Sequence, residues 1–161
     1  MLVVLGDLRV DGAYTDTDDP ETFLLVTGDM RARDVVTSGW LEVHGDLSTD
    51  RLIGDYNDCA AHIGGDVLVT LFYGEEHYFT IEGELAADVV IGVPRLMIDA
   101  EPECVDLTDP ALLDHFDREL LRVLEDTDAD GAPFLDLDGI ADFRAVKRRV
   151  IAGEPLRCGG E

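Results

Sequence analysis

Five segments in the first half of the chain share one pattern: Leu2-Val3-Val4-Leu5-Gly6-Asp7-Leu8, Leu24-Leu25-Val26-Thr27-Gly28-Asp29-Met30, Leu41-Glu42-Val43-His44-Gly45-Asp46-Leu47, Ala61-His62-Ile63-Gly64-Gly65-Asp66-Val67 and Phe79-Thr80-Ile81-Glu82-Gly83-Glu84-Leu85. Counted from the repeated glycine, positions −4, −2 and +2 are apolar in every copy. Positions −3 and −1 are mixed and include Glu42, His44, His62 and Glu82. This is the period-2 alternation of a strand with one buried face. A second apolar pair follows seven and eight residues after the glycine, at Val35-Val36, Leu52-Ile53, Phe72-Tyr73 and Val90-Ile91, with a weaker Ala13-Tyr14 in the first copy.

Each repeat therefore holds about two short strands and two turns. Successive glycines stand 22, 17, 20 and 18 residues apart, so the strand cores keep their length while the loops vary. One repeat supplies too few inward side chains to close a core, and stacked repeats make a continuous one. The pattern predicts a mainly β chain, a single parallel β-helix-like solenoid of about five rungs over residues 1–103. The glycine needs no ligand to explain it: a corner either requires φ > 0 or brings the next rung too close for a Cβ. The acid after it is placed to accept hydrogen bonds from turn N–H groups.

From Cys104 the texture changes. Asp109-Pro110 reads as an N-cap with proline at the first helical position, and Leu113, Phe116, Leu120 and Leu124 recur at helical spacing, predicting a helix over about 110–125. A second is predicted over about 139–152, from an N-cap at Asp138 through Ile140, Phe143, Val146 and Val150 to Gly153. This α-helical pair, residues 104–161, is expected to cap the solenoid, whose open end would otherwise expose apolar surface and strand edges.

With 12 Lys+Arg against 36 Asp+Glu the formal charge is −24, which argues against a phosphate backbone as a ligand. The 46% hydrophobic content argues equally against an acidic disordered tail. No segment approaches the ~20 apolar residues of a membrane span, and the start lacks a basic leader, so a cytoplasmic location without membrane contact is expected. Cys59, Cys104 and Cys158 are odd in number and lack a CxxC, which predicts reduced thiols and no zinc knuckle. No GxSxG, Cys-His or phosphate-loop signature is present, and a non-enzymatic chain without cofactor is expected.

Asp126-Thr127-Asp128-Ala129-Asp130-Gly131 matches the first half of an EF-hand loop, making Asp126, Asp128 and Asp130 weak metal candidates. The match fails at position 12, where Leu137 replaces the bidentate Glu, and no metal site is assigned. Function concentrates in loops presented by a rigid scaffold. Three loops combine acids with other recognition residues: Asp16, Asp18, Asp19 and Glu21; Asp55, Tyr56 and Asp58; and Glu75, Glu76, His77 and Tyr78. Carboxylates that steer encounter and rings that supply contact area suit a basic protein surface.

The repeats from Leu24 to Met30 and from Leu41 to Leu47 resemble the polymer-forming β-helical repeats of bactofilin-type bacterial cytoskeletal proteins, over roughly residues 2–96. The resemblance implies a self-assembling, non-catalytic scaffold. The uneven rung lengths and the helical segment depart from that pattern. The small, acidic, motif-poor profile is also similar in type to bacterial immunity proteins that neutralise toxins. Residues 1–105 carry a net −17 and residues 106–161 a net −7, so most of the field belongs to the solenoid. The leading expectation is an inhibitor or immunity-type protein, monomeric or a small homo-oligomer, that neutralises a basic partner such as a toxin. The alternative is a bactofilin-like structural scaffold.

Overall fold

Glycine and aspartate set the spacing of the coil. In a computed structural model, residues 1–17, 22–55, 58–127 and 133–158 are described, with residues 75, 76, 93, 125–127 and 133–135 described as backbone only. Strands β1 (Leu2–Val4), β3 (Phe23–Val26), β5 (Trp40–Val43) and β7 (Ala60–Ile63) stack in parallel, and the ends of β8 (Val67–Ile81) and β9 (Leu85–Met97) continue that side. Strands β2 (Leu8–Thr15), β4 (Met30–Thr37) and β6 (Leu47–Gly54) stack with the first parts of β8 and β9, followed by β10 (Cys104–Val105). The result is the parallel β-solenoid of about five turns that the repeat predicts.

Each of the longer strands bends. Met30 and Ala32 point inward and so does Val35, a three-residue step where simple alternation would require two; Val67, Val69 and Phe72 repeat the step. Pairing between β4 and β6 is interrupted at the same place, between Arg31–Ser48 and Asp34–Arg51. The coil therefore has three sides: the first formed by the short strands, the second by residues such as 30–32, and the third by residues such as 34–37. Leu24, Val26, Met30, Val35, Leu41, Val43, Leu47, Leu52, Ile63, Phe72 and Phe79 fill the interior.

The corner between the first and second sides explains the repeat. A Cβ on Gly45 would stand 2.2 Å from Asp29 Oδ1 and 2.8 Å from the Gly28 carbonyl carbon. Gly28, Gly65 and Gly83 meet Asp7, Asp46 and Asp66 in the same way. Asp7, Asp29, Asp46 and Asp66 each accept, through Oδ1, the backbone N–H of the acid one rung on: Asp29, Asp46, Asp66 and Glu84, at 2.8–3.0 Å. The glycines bond in step, Gly28, Gly45, Gly65 and Gly83 each donating N–H to the glycine carbonyl of the preceding rung. Close approach, not a left-handed backbone, requires these four; of the repeated glycines only Gly6, at φ +94°, needs the left-handed region.

Residues 106–158 run along the third side. Val36, Ile53, Leu71, Tyr73 and Ile91 project outward there into a second apolar cluster with Leu112, Phe116, Leu120, Leu121, Leu137, Val146, Val150 and Leu156. The expected helix over 110–125 is replaced by 3-10 turns at Pro110–Asp114 and Arg118–Leu120, then by the strand β11 (Leu121–Thr127) paired antiparallel with β12 (Pro133–Ile140). The Asp109 cap forms as expected, its carboxylate accepting from Ala111 N–H at 2.8 Å, but hairpin pairing from Leu121 onward overrides helical propensity. The second helix is found as α1 (Phe143–Ala152), capped by Asp142 where Asp138 was expected, and it stops at Gly153, φ +75°. Asp138 instead lies on β12, paired with Arg122 at 3.0 Å. The expected helical pair is thus one helix and a hairpin.

The glycine contact is directly testable. Gly45→Ala should cost about 1–3 kcal/mol in urea unfolding, because overpacking at a backbone contact cannot relax easily. Asp29→Ala should cost about 1 kcal/mol through one lost hydrogen bond. In the double variant the two costs should fall short of their sum, since removing the carboxylate relieves the 2.2 Å contact while the Gly28 backbone contact at 2.8 Å remains. Strict additivity would count against the contact.

Candidate functional site

The loops singled out by sequence leave the coil at the corner between the third and first sides, one above another. Asp16 follows β2, Ser38 and Gly39 follow β4, Asp55 follows β6, and His77 lies within β8 where it turns the corner. Asp16 Oδ1 accepts the backbone N–H groups of Ser38 at 2.5 Å and Gly39 at 2.8 Å. Its Oδ2 accepts from Thr37 Oγ1 at 2.9 Å and from the Tyr14 hydroxyl at 3.0 Å. Burial, and then the Asp16 charge, push the Tyr14 phenol well above its ordinary pKa, so Tyr14 stays a donor. Asp55 continues the stack: its Oδ2 accepts from Ser38 Oγ at 3.2 Å and pairs with Lys147 of α1.

Two of the expected contact residues therefore have internal work. Asp16 and Asp55 organise the corner, and Asp55 also fastens α1, so neither is a free steering charge. His77 is corrected more strongly: at 0% exposure it cannot touch a partner. Its Nδ1 lies 3.1 Å from the Asp55 carbonyl oxygen, which only accepts, so Nδ1 carries the proton of the neutral ring. Among the described residues the buried Nε2 has no hydrogen-bond partner, and the ring packs edge-on to Phe79 at 5.0 Å. Asp58 is exposed, and Tyr78 is 47% exposed with Arg95 stacked on its ring at 4.8 Å. Asp18, Asp19, Glu21 and Tyr56 lie outside the described residues, as do the side chains of Glu75 and Glu76.

The calcium-like run joins β11 to β12, two antiparallel strands, where the motif requires two helices. Asp128 and Asp130 lie outside the described residues, and Asp126 is described only as backbone within β11. His44 pairs with Glu42 at 2.8 Å and His62 with Glu82 at 3.0 Å, two separate pairs on the first side. No group of three or more metal-ligating side chains occurs among the described residues. Cys59 is buried, and Cys104 and Cys158 are exposed.

Sequence reasoning missed a buried ionic node at the corner of the second and third sides. Asp34, wholly buried, accepts from Arg51 Nε at 2.5 Å and Nη2 at 3.0 Å and from Arg33 Nε at 2.6 Å. The same guanidiniums reach the end of α1: Arg33 Nη2 donates to Ile151 O at 3.2 Å and Arg51 Nη1 to Glu154 O at 2.6 Å. Also missed was an outward aromatic column, Phe23, Trp40 and Tyr78, on the first side. Its signal was available one residue beyond the repeat, at position −5 from the glycine.

His77 makes stability depend on pH. Burial is the chief cause that holds its pKa below the ordinary value near 6.5, with the Asp55 carbonyl and the Asp16 and Asp55 charges opposing. The unfolded chain thus takes up this proton before the native state does, and the His77 contribution, complete above about pH 6.5, is lost as pH falls below it. Relative to His77→Gln, the native protein should lose unfolding free energy as pH is lowered below about 6.5 in paired denaturant titrations. Parallel profiles for the two proteins would refute a neutral buried imidazole.

Comparison with known proteins adds no relative: no family model, no curated protein and no solved structure matches the chain.

Proposed function

We propose that this chain is a non-enzymatic, cytoplasmic binding protein that neutralises a basic protein partner, as immunity proteins do with toxins. The supporting observation is how its few cations are used. Arg33, Arg51, Lys147, Arg149 and Arg157 join residues 106–158 to the coil or to themselves through Asp34, Asp55, Asp117, Glu119 and Asp114. Arg149 holds the Asp117 carboxyl below its ordinary pKa range through their hydrogen bond. The acidic excess is left on exposed corners, where Asp7, Asp29, Asp46, Asp66 and Glu84 line up rung above rung. A rigid line of like charge steers a cationic surface and speeds its capture at low salt.

The scaffold reading has one observation in its favour. Residues 106–158 cover a side of the coil, and at its N-terminal end Leu2 is 62% exposed on an edge that pairs with no further strand among the described residues. One experiment separates the readings. The protein is used to capture its partner from the source cell, and the captured pair is followed by association kinetics and by size-exclusion light scattering from ~50 mM to ~500 mM salt. A discrete complex whose association rate falls steeply with salt is expected. Assembly that grows with protein concentration and strengthens as salt screens the charge would instead establish the scaffold.

A further inference from the structure

Parallel sheets are normally covered on both faces. The third side of this coil obeys that rule, its outward Val36, Ile53, Tyr73 and Ile91 lying under residues 106–158. Among the described residues, none packs over the first side as residues 106–158 pack over the third. The outward residues of the first side form columns in register: Phe23, Trp40, Ala60 and Tyr78; then Val3, Leu25, Glu42, His62, Thr80 and Met97. Trp40 is 40% exposed and Met97 71%, alongside the half-exposed Tyr78. Exposed tryptophan and tyrosine on a flat, backbone-rigid surface are the composition of an interaction hot spot.

The charge around this face selects its occupant. Glu42 and Glu82 lie on the face, Arg95 is stacked on the Tyr78 ring at one end of it, and the acidic ladder from Asp7 to Glu84, which outnumbers that cation, borders the face along its whole length. A second copy would bring the same −24 against it, and phosphate-bearing polymers or anionic lipid would be repelled equally. Ladder charges recur at the inter-strand spacing of about 4.8 Å. A helix repeats every 5.4 Å, drifting by only about 0.6 Å per rung, within the reach of lysine and arginine side chains. An extended strand presents like-facing residues about 6.7 Å apart and leaves register within two or three rungs.

We infer that the outer face of the first side is a docking surface for an amphipathic basic helix of the partner, its apolar stripe on Phe23, Trp40 and Tyr78 and its cations along Glu42, Glu82 and the Asp7 to Glu84 ladder. This rests on the proposed acidic-binding role and moves the contact from the loop corner to the sheet. Trp40 is the sole tryptophan, so its emission reports on this face alone.

The test uses a lysine-leucine peptide of about 18 residues, five helical turns, with leucines on one face; a scrambled peptide of the same composition; and an oligolysine of equal charge. Saturable blue shift of Trp40 emission with the segregated peptide is expected, with affinity reduced about tenfold in Tyr78→Ala, largely retained in Tyr78→Phe and unchanged in Arg31→Ser on the second side. Calorimetric binding without any change at Trp40, or equal affinity in Tyr78→Ala, would overturn the face while leaving the acidic-binding role intact. Equal binding of the scrambled peptide would overturn the helical occupant. No binding of any of the three cationic probes would overturn both.

Discussion

The contact between each aspartate and the glycine one rung on is the constraint from which the rest of the coil follows. Asp Oδ1 occupies the space where the next rung's Cβ would stand and takes the backbone N–H beyond it, while glycine bonds to glycine beneath. With the corner fixed, the inward positions −4, −2 and +2 superimpose and the interior fills. The ladder also shows where it ends. Its last acid is Glu84, one methylene longer, and counting on from the Thr80–Met97 pair places Ala100 where the next glycine would be. Past that point the offset between paired residues falls from 17 at Phe79–Leu96 to 14 at Val90–Cys104, so the coil stops repeating where the glycine-aspartate contact does.

A second constraint acts on the third side. Its outward apolar column requires cover, and residues 106–158 supply it, but the approach depends on charge placement as much as on packing. Asp34, buried between two guanidiniums, would be costly alone, and the same guanidiniums would lack geometry for the α1 carbonyls without Asp34 to orient them. The node joins coil and helix end as one unit, with Gly153 against the Arg33 guanidinium. Tyr73, ringed by Phe116 at 6.3 Å and Phe143 at 5.3 Å, adds the apolar half of the joint.

The coil was legible because its signal is repeated: Val4, Val26, Val43, Ile63 and Ile81 confirm one another five rungs deep. Residues 110–125 have no such redundancy. Of the helically spaced Leu113, Phe116, Leu120 and Leu124, Phe116 and Leu120 are buried, Leu113 is half-buried and Leu124 is exposed, and the backbone makes two 3-10 turns and then a strand. The spacing reported burial in part and conformation not at all. Choice between helix and hairpin after Leu120 rests on β12, a partner distant enough that local pattern cannot weigh it. The site was legible only in part for a related reason. That Asp16, Asp55 and His77 fall on one corner follows from the repeat, but whether such side chains face solvent or one another depends on loop length. Asp16 reaches forward one rung to cap a two-residue turn at Ser38-Gly39, which no composition argument could supply.

These two uses of acid, inward at the loop corner and outward along the ladder, give the charge of −24 different physical meanings. At the loop corner Asp16 and Asp55 are matched by hydroxyls, N–H groups and Lys147, so the field these two project is weak. Along the ladder one oxygen is satisfied by the rung above, but the carboxylates stand in register at the inter-strand spacing, where like charges directly opposite destabilise a sheet. The backbone N–H groups hold them there against that repulsion. A cation-rich surface laid beside the ladder relieves it, so binding and folding are linked: what binds the ladder stabilises the coil. The residues that build the corner are thereby the same ones that carry the acidic line on which the proposed binding role rests, and the exposed Trp40 and Tyr78 stand on the side that line borders.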